Sequence, residues 1–401
     1  MKVVSALFLL LWVACAPFAA CAQKDIHAFT DRHIDLIDLV GHLIHKNGVQ
    51  RTDSPSKDPT KLRISGVPAA GYTLQTGFAG LVTANGAFKT EANANTSIIT
   101  TSLTYTARKQ IIFPLLSNIW TKDNKYNFSS DWRYVKFPSY TYGLGGYTAL
   151  LDGYLIDYSG FRLHQSMLRK ISKNMYAGIG YNIDYFYNIK ELDPPANRQT
   201  DLQKYDSVQP TEFASGLTFN FLYDDRKNAI NADGGNFINV VYRPNLKVFG
   251  NEGTWRSLVV DVRKYFKFSK SSENVLALWN YEWLTLSGTA PYLLLPNTGG
   301  DPYSNTGRGY IQGRYRSPNM AYLEAEYRFK LTHNGLIGGV VFANAQSFTE
   351  FASRKFETIT PGWGAGVRIK LNKYSRTNIA IDYGYGLGGS QGLFVNLGEV
   401  F

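Results

Sequence analysis

The sequence predicts an all-β protein, a transmembrane antiparallel β-barrel, on three observations. The first is a period-two alternation that recurs in segment after segment and continues to Phe401. In residues 322–331, Leu323, Ala325, Tyr327, Phe329 and Leu331 fall on one side, and Glu324, Glu326, Arg328 and Lys330 on the other. Successive side chains of a strand point to opposite faces, so such a segment has one apolar and one charged face. A soluble sandwich would leave charged faces everywhere with no helices to cover them. A closed barrel in lipid, apolar outside and polar inside, accommodates them all. The second observation is the rhythm of the connections. Residues 121–125, 172–174, 269–274, 332–335 and 372–376 are short connections, whereas 137–152, 188–210, 287–318 and 346–359 are long ones. Short periplasmic turns and long outer loops have this register. The third is the aromatic content: 27 Tyr, 24 Phe and 7 Trp make 14% of 401 residues, enough to supply girdles at both membrane interfaces.

Residues 1–22 read as a secretory signal peptide. Lys2 precedes an apolar run over 3–20, and the small residues Ala20 and Ala22 fit cleavage before Gln23. Lipidation of Cys21, which follows Ala19-Ala20, is the alternative. Both cysteines, Cys15 and Cys21, lie in or beside this segment, so no disulfide is expected beyond it.

Residues 23–60 form an N-terminal helix and linker. Within 31–46, Ile34, Ile37, Leu39, Val40, Leu43 and Ile44 share a helical stripe, with Asp31 as the expected N-cap. Asp38, His42 and His45 stand at i, i+4 and i+7, which is a candidate metal arrangement. With no cysteine among them, the stripe reads as an amphipathic docking helix, and neither a metal nor another cofactor is expected.

Residues 61–401 form the barrel. The alternation is clear in 98–106, 217–223, 258–266, 365–371 and 378–383. About fifteen such segments are visible, and because bacterial barrels carry an even number, sixteen strands are expected. The long connections then face outward. No later stretch is apolar and long enough for a membrane helix, and the mean hydropathy is −0.22. The formal net charge of +11 is spread over turns and polar strand faces rather than gathered in runs. Its expected partners are anionic lipid headgroups or a charged lumen, not nucleic acid.

The longest informative connection carries Gly299-Gly300, then Gly307-Arg308-Gly309-Tyr310, then Arg314 and Arg316. In this setting the sequence resembles the BamA/TamA superfamily of outer-membrane assembly and secretion barrels, the bacterial surface-antigen domain. Arg308, Gly309 and Tyr310 match the family's R-G-F/Y triplet on the sixth outer loop, which folds back into the lumen. Tyr223-Asp224-Asp225-Arg226 followed by Gly234-Gly235 looks like the family's periplasmic turn. The stretches 363–368, 381–384 and 392–401 look like its last strands. The resemblance covers about residues 70–401 and implies insertion or translocation of proteins or lipids at the outer membrane of a Gram-negative bacterium. The partners it implies are outer-membrane lipids, client outer-membrane proteins, and accessory periplasmic proteins or lipoproteins.

Two departures follow. There is no room for the family's POTRA domains, so the chain resembles a barrel-only branch. The family's F-x-D-x-G falls on residues 342–346, where Asn344 replaces the aspartate that pairs with the loop arginine. Asn344 is expected to accept a hydrogen bond from Arg308. An uncompensated guanidinium in a closed lumen is costly, so a second partner is expected among Glu282, Glu324, Glu326 and Asp382. Gly398 is expected to weaken the closing strand at the seam, and Phe401 to serve as a sorting signal. The plainer reading is that Arg308 fills space and the charged residues form a solvated lumen wall. Two other functions compete. One is a passive channel for small solutes. The other is an outer-membrane enzyme, which His164 and His333 do not support because neither belongs to an oriented triad.

Overall fold

The computed structural model describes residues 33–39, 60–73, 75–206, 209–267, 273–373 and 375–401. The predicted signal peptide and most of the predicted helix and linker lie outside the described residues. The first strands are β1 (Arg63–Thr73), β2 (Gly77–Phe88), β3 (Ser97–Thr106), β4 (Ile111–Trp120), β5 (Tyr126–Lys136) and β6 (Ser139–Thr141). Next come β7 (Tyr154–Ser172), β8 (Met175–Leu192), β9 (Thr211–Asp224), β10 (Gly235–Asn245), β11 (Trp255–Lys267) and β12 (Val275–Ser287). The chain continues through β13 (Asn319–Lys330), β14 (Ile337–Phe348), β15 (Thr360–Asn372), β16 (Thr377–Gly386) and β17 (Gln391–Leu397).

Each strand pairs antiparallel with the next along the chain. The one exception resolves the count. β5 and β6 both pair with β7, so β6 continues β5 past Phe137-Pro138, and the seventeen segments make sixteen staves. β7 and β8, of 19 and 18 residues, exceed the ~9–11 residues that a tilted strand needs to cross a bilayer.

The alternation sorts polar groups inward. On β13, Tyr322, Glu324, Glu326 and Arg328 are buried, whereas Leu323 between them is 58% exposed. This reverses the pattern of a soluble protein and is what a lipid-facing wall requires. Leu103, Phe219, Val341 and Trp363 stand on the same outer band.

β17, of only seven residues, closes against β1. A Cβ placed on Gly71 would lie 3.8 Å from the Val395 Cβ. Among the described residues no hydrogen-bonded register joins these two strands. The closing strand does not run to Phe401 as the alternation suggested. It stops at Leu397, where Gly398 adopts φ +103° and turns the chain inward. That backbone region favours glycine. Gly398 therefore acts as a turn just past the strand rather than as a gap inside it.

Residues 36–39 form one helical turn. Its cap is Asp35 rather than Asp31. The Asp38 N–H donates to Asp35 Oδ1 at 2.8 Å, and the Asp35 N–H donates to Asp38 Oδ2 at 3.2 Å, a reciprocal capping arrangement. The segment sits on the short-turn rim. The Ile34 N–H donates to the Asn334 carbonyl at 3.2 Å, and the Lys373 N–H donates to Asp35 Oδ2 at 2.9 Å. Asp38 is occupied by Lys373 Nζ at 3.1 Å, and His42 and His45 lie outside the described residues.

Candidate functional site

The connection between β12 and β13, residues 288–318, folds into the lumen. Tyr292, Leu294 and Leu295 near its start and Arg308 and Tyr310 near its tip are buried. It is braced by its own backbone, with the Thr298 N–H donating to Tyr315 O at 3.0 Å and the Gly313 N–H to Thr298 O at 2.8 Å. It is also tied to the β6–β7 connection and to the start of β9. The Gly145 N–H donates to Arg316 O at 2.8 Å, Arg314 Nη1 to Thr148 Oγ1 at 2.7 Å, and the Leu293 N–H to Glu212 Oε2 at 2.9 Å.

At the tip, the backbone of the triplet lies in a groove that glycines open on β15 and β16. A Cβ on Gly384 would come within 2.7 Å of the Gly309 N, one on Gly362 within 2.8 Å of the Arg308 carbonyl, and one on Gly386 within 2.5 Å of the Tyr310 ring. Gly309 itself takes φ +105°. The Tyr310 hydroxyl donates to Pro361 O at 2.5 Å and accepts the Leu387 N–H at 2.9 Å.

The Arg308 side chain, 1% exposed, reaches three carboxylates. Its Nη1 donates to Asp382 Oδ2 at 2.6 Å, and its Nη2 donates to both Glu324 and Glu326. The guanidinium also sits over the Phe342 ring, 3.8 Å from the centroid, a cation–π contact. Three of the four acids named from the sequence therefore converge on Arg308. Glu282 does not join them, because it stands on the face of β12 opposite the buried Trp279 and Tyr281 and points away from the lumen. Asn344 is close but does not accept from the guanidinium. Its Nδ2 donates to the Arg308 carbonyl at 2.9 Å, and its Oδ1 finds no partner among the described residues.

The cluster extends further than the sequence reading. Arg328 Nη2 pairs with Glu326 Oε2 at 2.7 Å, and Arg368 Nη1 with Asp382 Oδ1 at 2.5 Å. The inward-turned tail supplies a fourth carboxylate, Glu399, whose Oε2 meets Arg368 Nε at 2.7 Å. Three guanidiniums thus face four carboxylates in a buried site, where charges are tolerated only when paired. Phe401 lies inside the barrel, stacked on Trp279 with centroids 5.1 Å apart, and its main-chain oxygen accepts from Arg328 Nη2 at 2.8 Å. Asn305 of the loop donates to Val400 O at 2.7 Å and accepts from Asn396 of β17 at 3.1 Å. The loop, the cluster and the end of the closing strand are one connected network.

A second buried centre lies across the lumen. Asp184, fully buried, meets Arg162 Nε at 3.0 Å, His164 Nε2 at 3.0 Å and Arg243 Nη1 at 2.7 Å. It borders a partly open polar cavity of about 240 Å³, closed on one side by Gly300 and Pro302 of the loop. On the short-turn rim, the 223–226 motif folds locally. The Tyr223 hydroxyl donates to Asp225 Oδ2 at 2.9 Å, and Arg226 clasps Asp224. Burial raises the Asp225 pKa, but the donors from Asn236 and Tyr223 outweigh it and hold the carboxyl below its usual range. Among the described residues there is no cluster of three or more histidine, cysteine, aspartate or glutamate side chains that could hold a metal.

A sixteen-stranded barrel with apolar walls outside and a charged lumen filled by an arginine-anchored loop is an outer-membrane protein of Gram-negative bacteria. More particularly, the chain belongs to the Omp85 superfamily, whose domain model matches residues 84–392. Solved structures agree in fold. BamA from Haemophilus ducreyi lacking POTRA domains 1–3 aligns at TM-score 0.52 and 12% identity, over 85% of this chain and 70% of that one. CdiB from Acinetobacter baumannii gives 0.53 and 11%, over 84% and 66%, and CdiB from Escherichia coli gives 0.52 and 12%, over 83% and 61%. No curated protein sequence matches the chain. Among the described residues nothing folds as a POTRA domain ahead of the barrel.

Proposed function

We propose that this barrel helps insert or translocate proteins, or lipids, at the outer membrane through the seam between β1 and β17. The observation that carries the reading is the seam itself, two adjoining strands with no hydrogen-bonded register among the described residues. In lipid an unpaired strand edge must be satisfied by protein. An incoming client strand supplies the missing partners at low cost, as strands add to exposed edges elsewhere. The Arg308 network supports the same reading, because it links the luminal loop to the end of β17. Client barrels and accessory periplasmic proteins or lipoproteins are the partners this implies, and the rim segment 33–39 is a place for the latter to dock.

The polar cavity beside the loop favours a second reading, a passive channel for small solutes. Planar-bilayer conductance of the refolded barrel, beside a variant lacking residues 300–316, separates the two. A silent or flickering intact protein and a steadily open deletion support a plugged assembly barrel. Steady conductance from both favours the channel.

A further inference from the structure

We propose that the periplasmic end of the β4–β5 and β7–β8 hairpins is a binding site for the phosphate of anionic phospholipid headgroups in the inner leaflet of the outer membrane. The two turns lie side by side, with the Lys170 N–H donating to the Lys125 carbonyl at 2.9 Å. Together they gather five exposed cations: Lys122, Lys125, Arg169, Lys170 and Lys173. The last four line one shallow depression in which Asp123 is the single carboxylate. Among the described residues none of the five makes an ion pair.

The rest of the same rim is different. Lys267 and Arg376 both pair with Asp233 at 3.3 Å, Lys330 with Glu273 at 3.2 Å, and Lys373 with Asp38 at 3.1 Å. Four cations elsewhere on the rim are neutralised within the chain, whereas here five stand together without an ion pair among the described residues. Like charges crowded together repel, so the arrangement calls for an anion from outside the chain.

The flanking side chains identify that anion as part of an amphiphile. The outer face of β7 runs through Phe161, Leu163 and Met167 to Arg169 and then Ile171, which is 59% exposed. Arg169 faces Tyr126 across the β5–β7 ladder, and Lys125 Nζ stands 5.7 Å from the Tyr126 ring centroid. A tyrosine beside Lys125 and Arg169 at the end of an apolar stripe marks the headgroup level. An acyl chain covers Met167 and Leu163 while the cations take the phosphate.

Native mass spectrometry of the full chain, released from micelles holding equal amounts of phosphatidylglycerol and phosphatidylethanolamine, tests this. The wild type is expected to retain the anionic lipid about tenfold over the zwitterionic one, given the attraction of each basic residue to an anionic surface. K125E/R169E/K173E is expected to lose that preference, and K355E, on an outer loop, to keep it. Heat-shifted gel mobility confirms that each variant is folded. If the triple variant does not fold, K125Q/K173Q, confined to turn positions, replaces it. Equal retention of the two lipids by the wild type overturns the proposal and leaves the patch to an acidic protein. An unchanged preference in the charge variant overturns it as well. Displacement of the bound lipid by excess inorganic phosphate would show a free-anion site instead.

Discussion

Arg308 on the luminal loop and Asp382 on β16, 74 residues apart in sequence, are joined by a 2.6 Å charge-assisted hydrogen bond in a site closed to solvent. Neither group would be stable there alone. Removing one partner of a buried ion cluster costs about 3–5 kcal/mol, because the rest stays buried and unpaired. Arg308→Ala is therefore expected to release the loop, and limited proteolysis should cut within residues 299–317 in the variant while sparing the wild type. Unchanged protection would mean that the glycine groove alone holds the loop.

The charge count makes a less obvious statement. Three guanidiniums, of Arg308, Arg328 and Arg368, face four carboxylates, of Glu324, Glu326, Asp382 and Glu399. Asn344→Asp, which restores the family's acid, adds a fifth carboxylate and removes the donor to the Arg308 carbonyl. It is expected to destabilise the barrel, seen as a lower temperature for loss of the heat-shifted gel band. Adding Glu324→Gln returns the count to four and is expected to recover much of the loss. A stabilising Asn344→Asp would contradict this balance.

Packing holds the same loop by a route independent of charge. Gly384→Ala would drive a methyl group into the Gly309 backbone, and Gly386→Ala into the Tyr310 ring. Backbone and aromatic ring cannot yield as a flexible side chain can. Each substitution is expected to expose the loop to protease as Arg308→Ala does, with every ion pair intact. Full protection in both variants would count against the groove.

The tail supplies a further check. Phe401→Ala removes a ring packed on Trp279, and truncating a buried aromatic typically costs about 3–5 kcal/mol. The expected outcome is a shifted tryptophan emission together with a lower melting temperature. Emission identical to the wild type would mean that the tail does not sit in the lumen.

Fold and site were legible to different depths. The β13 alternation shows in one dimension which face is polar, so the barrel and the inward acids Glu324, Glu326 and Asp382 are readable directly. Arg308 is readable through the family resemblance. Glu282 misleads because parity is local to each strand: only the register of β12 reveals that it shares a face with Leu278 and not with Trp279. The groove of Gly362, Gly384 and Gly386 spans two strands and becomes visible only once they are paired. Glu399 and Phe401 continue an apparent strand in sequence, and nothing but the positive φ of Gly398 turns them inward.

In the proposed function the β1–β17 seam opens to admit a client. Gly71→Cys and Val395→Cys place two thiols across it, with no other cysteine in residues 23–401. The direct measurement is the rate at which an eight-stranded outer-membrane barrel inserts into vesicles holding this variant, oxidised and then reduced. The expected result is acceleration by the reduced protein, none by the oxidised one, and recovery on adding reductant. Equal insertion rates from the locked and unlocked seam would contradict the account.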